Sequence, residues 1–278
     1  MKLLDFYVDD LIKNALQEDI NYIDTSADLV IDENDITTAY FEAKAEGVLC
    51  GLDIAIRVFE LLDKEFKAKV YKKDGEKVKK GDIIADLSGH TLKLLKGERT
   101  ALNILQHMSG IATMTYKAVT LCKGTNASVA DTRKTLPGLR PIQKYAVTVG
   151  GGKNHRYNLS DAVMLKDNHI DACGGVTKAV EKCRENLGHM VKIEVETRNL
   201  QEVKEALSTG VEVIMLDNMD IETMKKAVEI TDGKALLEAS GNITDETISA
   251  VAKTGVDIIS IGALTHSVKA FDISMKIK

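Results

Sequence analysis

The chain has 278 residues, a net charge of −5, 44% hydrophobic and 28% charged residues, which suits one large globular domain or two modest ones. The acidic balance argues against a general nucleic-acid binder, and the absence of Trp with only 4% aromatics leaves no base-stacking platform, so the core is aliphatic. No apolar run reaches the roughly 20 residues that span a bilayer, acids begin at Asp5, and the four cysteines show no CxxC spacing, so a cytoplasmic protein with reduced thiols and no membrane partner is expected.

Residues 3–18 carry apolar positions at a helical period. Segments 38–50 and 66–71 read as strands. Between them, Ile54, Val58, Leu61 and Leu62 fall on one helical face. Residues 72–80 alternate in charge and read as a solvated face. Glycines punctuate short strands over 74–89. A helix is expected from near Lys96 through GERTALNILQHMSGIAT, with Leu102, Leu105, Met108 and Ile111 as an apolar stripe.

Beyond residue 127 the texture changes. Short β-branched runs recur at 128–132, 162–167, 192–197, 211–217, 235–240 and 257–262, with helical patterns between them. Alternating strand and helix implies βα units and a parallel sheet buried on both faces. The runs end in polar residues: Asp131 and Arg133, Lys166 and Asp167, Glu196, Asp217, Glu238 and Ser240, and Gly262. A barrel converges such residues on one site, and the segment is short for a complete eight-fold barrel, so an incomplete barrel of six or seven strands is expected.

The stretch from 131 to 156 holds six cations (Arg133, Lys134, Arg140, Lys144, Lys153, Arg156) and one anion, Asp131, inside an acidic chain. Basic side chains on a glycine-punctuated loop at a strand end suit a small polyanion, although a solvated basic face has the same composition. The run Gly150, Gly151, Gly152 fits neither the dinucleotide nor the P-loop spacing and reads equally as a flexible loop. His155, flanked by GGGKN, reads as a ligand-facing donor or as a core histidine. Glu196 and Asp217, one βα unit apart, could hold a hydrated Mg²⁺, accept from sugar hydroxyls, or simply cap helices. ASGNIT (239–244) and SIGALT (260–265) read as helix starts that offer backbone N–H groups to a phosphate, with structural turns as the alternative.

Taken together, ERTALNILQHMSGIAT, DTRKTLPGLRPIQKYAVTVGGGKNHR, MLKDNHI, EVET, MLDN, EASGNI and SIGALTHS resemble the quinolinate phosphoribosyltransferase family over nearly the whole chain. The resemblance implies an α/β protein with an N-terminal α/β sandwich, residues 1–110 joined by the tail 266–278, and an open, about seven-stranded α/β barrel over 111–265. It implies transfer of phosphoribosyl from phosphoribosyl pyrophosphate to quinolinate with decarboxylation, in NAD biosynthesis, with Mg²⁺. It implies a homodimer with shared active sites and no nucleic-acid partner. By the same resemblance, Thr132, Arg133, Lys134, His155, Arg156 and Lys166 serve the base, and Arg99 is contributed across the dimer interface. Glu196 and Asp217 stand near ribose and metal. Ser240, Gly241, Asn242, Gly262 and Ala263 form the phosphate cradle, and Lys134, Glu196 and Asp217 are the catalytic set. A transferase acting on another base, a Schiff-base aldolase using Lys166, and a lipoyl-type carrier suggested by 74–89 remain as alternatives at this point.

Overall fold

The computed structural model describes residues 3–278, which form two compact units. The first comprises residues up to Tyr116, Thr135–Gly151 and Leu264–Lys278; the second comprises Lys117–Lys134 and Gly152–Ala263. No helix among the described residues is long and apolar enough to cross a membrane.

In the first unit, helix α1 (Asp5–Asp19) buries Val8, Ile12 and Leu16, the four-residue rhythm of one helical face. A short helix, α2 (Ala27–Val30), precedes strand β1 (Ile36–Ala43), whose Ala39, Phe41 and Ala43 alternate inward. The two-residue strand β2 (Gly47–Val48) leads to α3 (Leu52–Leu62), which buries Ile54, Ala55, Val58 and Phe59. Strands β3 (Lys67–Val70), β4 (Lys77–Val78) and β5 (Ile83–His90) follow, and α4 runs over Thr91–Leu121. The expected stripe of Leu102, Leu105, Met108 and Ile111 is buried.

The last strand of the chain, β12 (Ile273–Ile277), closes an antiparallel sheet in the order β12-β1-β5-β3. Its register, Ala39 opposite Ile277 through Ala43 opposite Ile273, ties the C-terminal tail to β1. The alternating charge run is largely exposed, but Asp74 turns inward. Its carboxylate accepts from the Gly51 and Leu52 amides at the start of α3 and from the Tyr145 hydroxyl. That burial pushes the Asp74 carboxyl up despite these bonds.

The stretch after Gly138, read from sequence as loop, is the helix α5 (Arg140–Val149). Pro141 sits in its first turn, where a missing N–H costs nothing, and Ile142, Ala146 and Val147 are buried. Gln143 is wholly buried: its amide donates to the Thr265 carbonyl and its oxygen accepts from the Leu136 amide. These bonds tie 135–151 to the first unit, whereas the sequence reading placed all of 111–265 in the second and only the tail 266–278 with the first.

The second unit is built of βα repeats. Strand β6 (Ser128–Ala130) comes first, then β7 (Val163–Leu165), α6 (Asp167–Cys173), α7 (Val176–Asn186), β8 (Ile193–Thr197) and α8 (Leu200–Ser208). They are followed by β9 (Val213–Asp217), α9 (Ile221–Thr231), β10 (Leu236–Ser240), α10 (Ile248–Ala252), β11 (Ile258–Ser260) and α11 (Ala263–His266). Six parallel strands pair in the order β6-β11-β10-β9-β8-β7. A seventh position survives only as the parallel bridge between Ala130 and Lys153. Among the described residues no strand pairing joins that edge to β7, so the barrel is open. Val195, Ile214, Leu216, Leu237, Ala239 and Ile259 are buried on the face of the sheet opposite the one that carries Glu194 and Glu238.

Candidate active site

Parallel strands place all their carboxyl ends on one side, so the polar residues that end β6 to β11 share one rim. Lys166 follows β7, and its Nζ lies 3.0 Å from Glu196 Oε2, near the end of β8. Lys166 is half-exposed and ion-paired. Asp217 ends β9. Its Oδ2 accepts from Asn218 Nδ2 at 2.9 Å, and Asn218 Oδ1 in turn accepts from Asn242 Nδ2 at 3.0 Å.

The segment after β10 is a left-handed turn. Gly241 has φ +95° and Asn242 φ +49°. A Cβ on Gly241 would run into the Asn218 side-chain amide, so only glycine fits. Helix α10 begins at Ile248, so Ser240, Gly241 and Asn242 do not form its first turn; the sequence expected a helix start there. Gly262 and Ala263 do stand at the start of α11. Gly150, in the glycine run, packs where a Cβ would meet Ala112 and Thr115 of α4, so close approach within the first unit explains that glycine.

Thr132 Oγ1 accepts from the Lys134 amide at 3.0 Å, which folds the TRK turn on itself. Arg133 and Arg156 are near neighbours. Burial first, and the Arg133 charge second, lower the grip of Arg156 on its proton, while Glu194 strengthens it. Arg156 Nη1 donates to the Ala162 carbonyl at 3.0 Å. Arg99 is exposed on α4, in the first unit. Of the six cations counted in sequence, Arg140 and Lys144 belong to α5, and Lys144 is wholly buried.

His155 points into the barrel. Its Nε2 lies 3.0 Å from Glu194 Oε2 and 3.6 Å from Glu238 Oε1. Its Nδ1 accepts from the Arg156 amide at 2.8 Å, and its own amide donates to Asp131 Oδ1 at 2.8 Å. Asp131 Oδ2 accepts from Asn154 Nδ2 at 2.6 Å. Glu194 and Glu238 are 6% and 1% exposed, and the Oε1 atom of each has no hydrogen-bond partner. Burial first, then the Glu194 carboxylate, push the Glu238 carboxyl up to about 7, against the pull of His155. Sequence reading missed Glu194 and Asn218. Glu194 was within reach, because it precedes Glu196 by two residues and so shares its face of the strand.

Over residues 111–276 the chain matches the family model of quinolinate phosphoribosyl transferase, C-terminal domain, and over 23–109 that of the N-terminal domain. The chain belongs to the quinolinate phosphoribosyltransferase family. A relative from Arabidopsis thaliana, named nicotinate-nucleotide pyrophosphorylase (carboxylating), chloroplastic, is 44% identical over 286 residues, covering 96% of this chain and 82% of its own. The crystal structure of NadC from Streptococcus pyogenes superposes with a TM-score of 0.97 at 44% identity, covering 100% of this chain and 99% of that one. Human nicotinic acid phosphoribosyltransferase shares the fold alone, with a TM-score of 0.62 at 13% identity and coverage of 99% and 74%. Fold therefore does not choose the base, and that choice rests on side chains.

Proposed function

We propose that this member of the quinolinate phosphoribosyltransferase family transfers phosphoribosyl from phosphoribosyl pyrophosphate to quinolinate, giving nicotinate mononucleotide, pyrophosphate and CO₂. The observation that carries this reading is the cationic rim: Arg133, Lys134, Arg156 and Lys166 gather where the strands end, a charge set matched to two adjacent carboxylates. The pyridine nitrogen attacks C1′ as the C1′–O bond to pyrophosphate breaks. The C2–carboxylate bond then breaks, its electron pair is drawn toward the pyridinium nitrogen, and C2 takes a proton. Arg133, Arg156 and Lys166 bind and orient the base. Glu196 and Asp217 place negative charge beside the centre that becomes cationic at C1′, and Lys134 completes the catalytic set.

Mg²⁺ fits the donors present. Glu196 and Asp217 offer hard carboxylate oxygens from neighbouring strand ends, Glu196 Oε2 accepting from Lys166 and Asp217 Oδ2 from Asn218. These two residues would hold the ion, which when bound neutralises charge on the departing pyrophosphate. Thr132 braces the TRK turn, and Ser240, Gly241, Asn242, Gly262 and Ala263 receive the 5′-phosphate. Two chains form the working enzyme, with Arg99 of one completing the site of the other. The apolar surface left at Phe6, Leu29 and Val30 is of the kind an interface covers.

Purified protein supplied with Mg²⁺, quinolinate and phosphoribosyl pyrophosphate is expected to release nicotinate mononucleotide and CO₂ in equal amounts. Absence of either product, or loss of none of the activity on chelation, would overturn the reading.

A further inference from the structure

Glu194 sits behind the rim, in contact with His155. A backbone N–H only donates. Because the Arg156 amide donates to His155 Nδ1, that nitrogen carries no proton, and the ring is the neutral Nε2–H tautomer. Its single N–H then faces Glu194 Oε2 at 3.0 Å. Glu238 closes the other side of the same nitrogen, and Asp131 holds the His155 backbone amide. Both ring nitrogens are thus engaged by the protein, and the carbonyl of Ala162 holds the guanidinium of the next residue.

We propose that Glu194 is a positioning residue: by accepting the His155 Nε2–H inside the barrel it fixes the imidazole, the imidazole fixes the Arg156 amide, and Arg156 is thereby presented to the quinolinate carboxylates. The inference rests on the quinolinate reading above and adds to it a residue that never touches substrate. In this arrangement His155 links a buried acid to a binding arginine. The three ligand atoms of His155, Glu194 and Glu238 lie within 4.8 Å of one another, a spacing a metal ion could also fit. The 3.0 Å contact and the tautomer favour a proton between nitrogen and oxygen.

Two variants separate the role from bulk. Glu194→Gln keeps an acceptor at the same place, and Glu194→Leu removes it. Calorimetric titration is expected to show quinolinate binding about tenfold weaker in Glu194→Leu, largely restored in Glu194→Gln, with phosphoribosyl pyrophosphate binding unchanged within about twofold in both. Selective ¹⁵N labelling of the six histidines gives a second readout. The His155 signal is expected to show a protonated Nε2 and bare Nδ1 in the parent and in Glu194→Gln, and tautomer exchange in Glu194→Leu. Equal weakening of both substrates, a Gln variant as impaired as Leu, or a tautomer unmoved in Glu194→Leu would overturn the proposal. So would one tightly held transition metal per chain that is lost in Glu238→Gln. If the parent binds no quinolinate, the functional reading fails; the tautomer measurement still decides the clamp, standing if Glu194→Leu releases it and falling if it does not. Should Glu194→Leu not fold, loss of the Nε2–H signal in Glu194→Gln overturns the proposal and its retention supports it.

Discussion

Glu238→Gln should stabilise the protein, and only above a definite pH. Glu238 is 1% exposed, and its carboxyl is pushed up from 4.5 to about 7. The neutral tautomer of His155 leaves that upward push less opposed than a charged ring would. A carboxyl that holds its proton more tightly when folded contributes stability that is complete below its unfolded pKa and is lost as pH rises through its folded pKa. The distance from 4.5 to about 7 corresponds to a ceiling of about 3 kcal/mol. Gln keeps the volume and is neutral at every pH. Near pH 4 the two proteins should therefore unfold alike, and near pH 8 the variant should be more stable by up to about 3 kcal/mol. Urea unfolding across that range measures it, since titrating groups remote from Glu238 cancel in the difference. A flat difference, or a variant that is the weaker protein at the higher pH, would show that Glu238 is accommodated as an anion and would refute the reasoning.

Nicotinate should be a far poorer substrate than quinolinate, because a missing carboxylate leaves rim cations uncompensated; comparable kcat/KM for the two acids would contradict this. Arg133→Ala and Arg156→Ala should each weaken quinolinate binding by roughly 1.5–3 kcal/mol and phosphoribosyl pyrophosphate binding by less, as read by calorimetry. Gly241→Ala should cost about 1–3 kcal/mol of stability or distort the turn, since φ +95° and the Asn218 amide leave no room for a Cβ, and phosphoribosyl pyrophosphate binding should weaken with it. Mixing inactive Arg99→Ala and Lys166→Ala chains under confirmed subunit exchange should regenerate up to about a quarter of parental activity, because half the dimers are mixed and each has one intact site. Background activity after exchange would place Arg99 in its own chain's machinery.

Strand ends were legible in the sequence because two signals coincide there: a β-branched run stops and a polar residue follows. That is how Lys166, Glu196 and Asp217 were found. The level beneath them was not, because a charge inside a strand interrupts the apolar pattern that defines the strand. Glu194 in KIEVET lies on the same face as Glu196, and reading the strand at its period of two would have revealed it. Helix α5 was hidden by Pro137, Gly138 and Pro141, which read as loop signals although Pro141 suits a first helical turn. The seventh strand position was illegible for a plainer reason: Gly150, Gly151 and Gly152 have no side chains to pattern, and the pairing is the single bridge at Lys153. Asn218 and Asn242 adopt left-handed backbone that asparagine tolerates, a preference too weak to read without the turn in view.

The layering bears on how the base is chosen. Two arginines, Arg133 and Arg156, stand close enough that one weakens the other's hold on its proton, after burial has done so. Glu194 opposes the effect from below, and because it is 6% exposed its charge is little screened by solvent. Glu194 also engages His155, so the same carboxylate orients the neutral ring and steadies the arginine beside it. The pocket is thus assembled before substrate arrives, with the inner acid offsetting part of the cationic rim. A dianion completes that balance at the mouth. A monoanion brings half the charge of a dianion to Arg133 and Arg156, so discrimination is expected to follow charge rather than the shape of the ring.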